Sequence, residues 1–363
     1  MQTSERIDYL DSVRGLAAFS VVIYHFIGWK WADMLRTKLA FFIFNGSDAV
    51  SLFFVLSGLV LSLKYFRKKE NPIEITSTHY LQYVVNRILR LLPPFIVVFF
   101  ANYLYIHGNT MGLVFFKDII RNEYFFWYEL ILMRGKNVTY TPGWTLGIEI
   151  ALSFFVPIGV MLIRQEKRLF AFVIGAFLLA GGGYYSGFLF HFALGIWIAF
   201  HFDTIKNYPW KESKWYRYRY LIYFLVFALF SLRHVGKLID FGKIMFAVWG
   251  LLGLDWFHFT ALGAAGILIA CIHSQRLQKI LLWQPFLFLG QISYSVYLCH
   301  WLIVVYVMEH WDKFLPYFPN ERIAYYALLF SVVIATLLSA TALYYVVEKP
   351  SIGWGKKIAA KFS

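Results

Sequence analysis

The stretch RGLAAFSVVIYH, Arg14 to His25, is an otherwise uncharged run of apolar and small residues with an arginine at one end and a histidine at the other. The two stand eleven positions apart, so at roughly 100° per residue they return to within about 20° of one helix face. At about 1.5 Å rise per residue they lie about 16 Å apart along the axis, around half the thickness of a bilayer hydrocarbon core. The stretch is therefore expected to be a membrane helix with a cation near one surface and a titratable imidazole near the other. Each end has two readings. Arg14 is either an interfacial anchor that snorkels to headgroups or a functional cation. His25 is either a packed, hydrogen-bonded residue or a catalytic one.

The rest of the chain agrees with a membrane setting. Of 363 residues, 60% are hydrophobic, 21% aromatic and only 15% charged, with a mean hydropathy of +0.60, which excludes an ordinary soluble domain. Apolar runs of spanning length recur from end to end, predicting an all-α polytopic bundle that forms one transmembrane domain over residues 1–363, with short cytoplasmic tails at about 1–9 and 349–363. The first run lacks a small-residue cleavage site and contains Arg14, so it is read as retained rather than as a signal peptide. The net charge of +14 comes from basic residues in short loops, which fits membrane topology better than nucleic acid. Cys271 and Cys299 lie within apolar segments without disulfide or metal-ligand spacing. No metal site and no permanently bound cofactor is expected.

Candidate spans fall at about 10–28, 46–65, 91–107, 144–163, 169–182, 184–201, 220–235, 250–272, 286–308 and 323–347, ten in all. With the N-terminus in the cytoplasm, 21 basic residues fall on the inner side and 12 on the outer, and Arg14 in the first helix completes the 34. That asymmetry predicts both termini inside. The run 169–201 is divided at Gly181, Gly182 and Gly183, residues 236–258 fit either one long helix or a re-entrant piece, and the aromatic stretch EYFFWYELILM in the loop 108–143 is expected at the interface.

This topology sorts the embedded polar groups by depth. Arg87 and Arg90, three apart in RILRLLPP, fall on the inner side, either as positive-inside charges or as a phosphate site in which their planar forks bind at the same depth as Arg14. Glu149, in WTLGIEIALSFF, falls near the outer side at a depth similar to His25, either as a structural salt-bridge partner or as a carboxylate that orients the imidazole. Asp48, in NGSDAVSLFFVLSG, opens the second helix as its expected N-cap.

RIDYLDSVRGLAAFSVVIYHF resembles the opening of the acyltransferase family 3 membrane proteins, whose signature is an arginine, ten residues and a histidine. The resemblance continues through RILR, through WTLGIE, where Thr145 replaces the family's serine beside Trp144, through SYSVYLCHWLI with Ser293, Tyr294, Tyr297 and His300, and through YYVVEKP with Glu348 and Pro350. Where many members carry an acidic residue in the second helix, this chain has Ser51, one turn after Asp48. Five motifs in family order span positions 6 to 350. The resemblance implies O-acyl transfer from a cytoplasmic acyl-coenzyme A, the acyl group expected to be acetyl, to a hydroxyl of a cell-surface or lipid-linked saccharide by a protein of the cell (inner) membrane. His25 and Glu149 would do the chemistry and Arg14, Arg87 and Arg90 would hold the donor, with Asp48, Trp144, Tyr297 and His300 in support. Membrane lipids are expected partners, nucleic acid is not, and the oligomeric state is unread. A transporter or channel is the rival reading, because buried ionisable residues also mark ion pathways, and a membrane scaffold is a third. Against the transporter stand the segregation of charge to the two ends and the lack of a visible inverted repeat.

Overall fold

The computed structural model describes residues 7–30, 40, 42–67, 73–107, 140–179, 186–234 and 256–362. Among them there is no strand, and the chain runs through α1 (Asp8–Lys30), α2 (Gly46–Phe66), α3 (Ser77–His107), α4 (Gly143–Gln165), α5 (Lys167–Leu179), α6 (Ser186–Phe200), α7 (Arg219–Phe230), α8 (Trp256–His273), α9 (Gln275–Leu281), α10 (Gln284–Gln291), α11 (Ser293–Glu309), α12 (Glu321–Leu343) and α13 (Lys349–Ala359), with a π turn at Tyr344–Glu348 before α13. The aromatic stretch 123–133, the glycine triplet 181–183 and nearly all of 236–258 lie outside the described residues.

Ten spans were expected; among the described residues six helices are long and apolar enough to cross a membrane, or seven if α10 and α11 form one bent span. The difference lies mainly in α5, α6 and α7, which measure 13, 15 and 12 residues. At 1.5 Å per residue their described parts reach about 20 Å, against the roughly 30 Å hydrocarbon core. α3, whose membrane span was expected at about 91–107, begins at Ser77 and runs unbroken through Pro93 and Pro94, as membrane helices permit. Residues 349–363 were expected as a tail, yet α13 is a helix that buries Ser351, Gly355 and Ala359. A Cβ on Gly355 would sit 3.3 Å from both Asn86 and Leu89 of α3.

The helices divide into two compact units. The first comprises α1 up to Tyr24, α2, the part of α4 after Ala151, and α5 to α10. Its tightest crossing joins α2 to α6: a Cβ on Gly58 would lie 2.3 Å from the Phe192 carbonyl oxygen, and one on Gly195 would lie 2.2 Å from that of Val55. Helices pack without a hydrophobic drive in lipid, so such small-residue contacts supply the dispersion energy that holds them. The second unit comprises the last turn and a half of α1, α3, the start of α4, and α11 to α13. Leu91, Phe95, Val98, Phe99 and Tyr103 of α3 form its core with Tyr140, Leu146, Leu298 and Leu343.

Candidate functional site

The second unit holds the more reactive set. α1 forms as its sequence dictates, so His25 lies on it, one residue before the buried Phe26, whose ring packs 5.2 Å from that of Tyr325. His25 Nδ1 lies 3.0 Å from Nε2 of His300 on α11. The ring planes differ by only 12° and their centres are 5.1 Å apart, too far for face-to-face contact at roughly 3.5–4 Å. The imidazoles thus meet edge to edge, with the Trp301 ring 5.2 Å away and steeply inclined at 80° to His25. His300 is fully buried, and its Nδ1 lies 2.6 Å from the Tyr297 carbonyl oxygen.

Hydroxyl groups clamp the start of α11. The Tyr140 hydroxyl donates to the Leu298 carbonyl at 2.7 Å and the Tyr294 hydroxyl to that of Leu91 at 2.6 Å. Burial pushes the Tyr140 phenol well above its ordinary value, so it remains a donor at any physiological pH. Thr145 donates to the Pro142 carbonyl at 2.9 Å, which leaves its oxygen to accept from the Tyr297 hydroxyl at 2.6 Å. The threonine that replaces the family's serine therefore keeps the hydroxyl that this contact uses. Trp144 is half-buried in the first turn of α4. Ser295 donates to Glu348 at 2.7 Å, both of them buried, across from the π turn.

Arg87 and Glu149 were expected near opposite membrane surfaces, yet they form an ion pair at 2.9 Å. The sorting of charge by depth fails for this pair, because two side chains in contact share one depth. With it falls the charge-segregation argument against a transporter. Arg87 is buried, and its Nε has no hydrogen-bond partner among the described residues. Arg90, one turn further along α3, is half-buried.

In the first unit, Arg14 pairs with Asp11, one turn before it, at 2.8 Å. Asp48 is fully buried but is not the cap of α2. That role belongs to Asn45, whose side chain accepts from the Asp48 amide. Asp48 instead occupies the first turn, where the helix dipole favours an anion, with a carboxylate oxygen 3.6 Å from Nε2 of His234. The same nitrogen lies 2.9 Å from Asn45 Oδ1 and 3.1 Å from the Ser47 hydroxyl. Ser51 is 3.0 Å from Nε2 of His191. His191 and His234 were missed in the sequence, since a lone histidine in an apolar run carries no signal of its partner.

A family model described as an acyltransferase domain matches residues 7–345, from before the arginine–histidine pair to within the π turn. The chain belongs to the acyltransferase 3 family. With the apolar helices, membership makes it an integral membrane protein. The chain is also 25% identical over 380 residues to YrhL of Bacillus subtilis (strain 168), whose name marks it as a proposed peptidoglycan O-acetyltransferase. The match covers 94% of this chain and 54% of YrhL, so the chain spans about half the length of that relative. No solved structure matches the chain significantly.

Proposed function

We propose that the protein is an O-acyltransferase that moves an acyl group, in the simplest case acetyl, from acyl-coenzyme A to a hydroxyl of a cell-envelope saccharide. The observation that carries this reading is the family match over 7–345 together with an imidazole pair at the histidine of the family signature. The relative's name supports an acetyl group and a glycan acceptor.

A saccharide hydroxyl is a poor nucleophile at neutral pH, so attack on a thioester calls for a base that takes its proton as the bond forms. His25 fills that role. The hydroxyl oxygen bonds to the thioester carbon while His25 accepts the proton, the tetrahedral intermediate expels the thiolate, and the proton passes from His25 to the sulfur, leaving ester and free thiol. Arg87 and Arg90, both on α3 of the second unit, are the proposed phosphate ligands, and Arg14, in the first unit, is a separate candidate cation for the donor; both chain termini are proposed on the cytoplasmic side of the cell membrane. Glu149 acts by holding Arg87. Guanidinium forks suit this task better than ammonium groups, so Arg→Lys at Arg90 should weaken donor binding and Arg→Ala should weaken it more.

The test is turnover by the purified protein in lipid, with acetyl-coenzyme A as donor and peptidoglycan fragments as acceptor. Release of free thiol matched by ester on the glycan supports the proposal. A protein that binds no acyl-coenzyme A and esterifies nothing refutes it.

A further inference from the structure

The imidazole pair fixes the tautomer of His25. The argument starts at His300, buried on α11. Its Nδ1 lies 2.6 Å from a backbone carbonyl oxygen, which can only accept, so Nδ1 must carry a hydrogen. Among the described residues no carboxylate faces the ring, and an unpaired imidazolium in so dry a place would be costly, so His300 is neutral. A neutral imidazole protonated at Nδ1 presents a lone pair at Nε2. That lone pair faces His25 Nδ1 at 3.0 Å, and two nitrogens at that distance need one hydrogen between them. His25 must supply it, so His25 is protonated at Nδ1, and in its neutral form, the one that can act as a base, the lone pair lies at Nε2.

We infer that His300 is a positioning residue that holds His25 in the tautomer with Nε2 as the base. The inference rests on the proposed role of His25 and goes beyond it by naming the reacting atom and the group that sets it. The chain Tyr297 carbonyl, His300, His25 resembles in logic a nucleophile's histidine oriented by a third group, with a neutral imidazole where a carboxylate is usual. Glu149 was expected to orient the imidazole, and the contact at His25 Nδ1 is made by His300. When His25 Nε2 accepts the hydroxyl proton, the Nδ1–H bond to His300 becomes charge-assisted and stronger, so His300 contributes in the transition state more than in the ground state. The same geometry excludes Nδ1 of His25 as an acyl carrier.

Two substitutions separate the possibilities. Glutamine can place its amide oxygen where His300 Nε2 lies and accept from His25, whereas leucine fills the space without an acceptor. His300→Leu should lower kcat roughly 10- to 100-fold, as loss of an orienting partner does, with KM for acetyl-coenzyme A unchanged, and His300→Gln should recover most of that loss. Equal kcat in the Leu variant and the parent, while His25→Ala is inactive, would overturn the inference and leave the role of His25 intact. Parental turnover in His25→Ala would remove the reading on which it rests. Independently of whether His300→Leu inserts, nitrogen-15 NMR of histidine-labelled parent protein reads the tautomer directly, with the His25 signal assigned by its loss in His25→Gln. A protonated Nδ1 and bare Nε2 on His25 are expected, and the reverse would overturn the inference.

Discussion

At the scale of single residues, the sequence exposes which side chains are costly in a membrane and hides which ones meet. Arg14, His25, Arg87, Glu149 and Asp48 stand out because each is ionisable or polar in an apolar run. Their partners are Asp11, His300, each other, and His234. Only Asp11 lies within a helical turn of the residue it holds, so only that pair was open to spacing arguments. Arg87 and Glu149 are 62 residues apart and His25 and His300 are 275, separations on which periodicity is silent. The cap of α2 was misread by three residues: Asn45 and Asp48 both suit a helix start, and geometry alone tells the cap from the first turn. Glu149→Gln leaves the buried Arg87 without its counter-charge, a loss of up to about 3–5 kcal/mol where a pair is fully buried and less here, because Glu149 is a quarter exposed. We expect Glu149→Gln and Arg87→Met each to lower the melting temperature in lipid, and the double variant to lose less than the two single losses combined. Additive losses would show that the ion pair contributes no coupling. Glu149→Gln should also cost less turnover than His25→Ala.

At the scale of elements, hydropathy located the helices and set the bounds of α1 (Asp8–Lys30), α2 (Gly46–Phe66) and α4 (Gly143–Gln165) closely, against expected spans of 10–28, 46–65 and 144–163. An apolar run marks a buried segment whether or not it reaches across the bilayer, so the count of ten is not confirmed among the described residues, where α5, α6 and α7 are short. Hydropathy registers only the apolar part of α3, from about residue 91, and the basic residues after Lys349 suggest a short cytoplasmic tail. In the fold, α3 continues and α13 packs on it through Gly355. Crossings set by missing side chains were not legible, since no glycine announces what lies opposite. The α2–α6 crossing gives a direct test. Gly58→Ala should destabilise by about 1–3 kcal/mol, because its methyl meets backbone that cannot yield. Gly353→Ala, where nothing lies within 4 Å of the added carbon, should be neutral or gain up to about 1 kcal/mol from helix propensity. Thermal melting of both variants in the same lipid makes the comparison, and equal shifts would mean that the crossing is slack.

At the scale of the whole molecule, five motifs in family order reach from residue 6 to residue 350, and the family match over 7–345 bears out the assignment they suggested. Motif order is legible in the sequence where contacts between helices are not, because it depends on side-chain identity alone. The orientation rests on charge alone. In a background lacking Cys271 and Cys299, cysteines introduced at Lys69 and Lys357 should be shielded from an impermeant thiol reagent in intact cells, and those at Lys136 and Lys313 should react. Labelling of the first pair would reverse the donor and acceptor sides. The central claim is that a base at His25 drives acyl transfer, and one comparison tests it most directly: turnover of acetyl-coenzyme A with a glycan acceptor by parent and His25→Ala proteins that bind the donor equally. The account predicts a loss of about 10²- to 10⁴-fold in kcat with donor affinity retained, and a folded His25→Ala protein that turns over at the parental rate would contradict it.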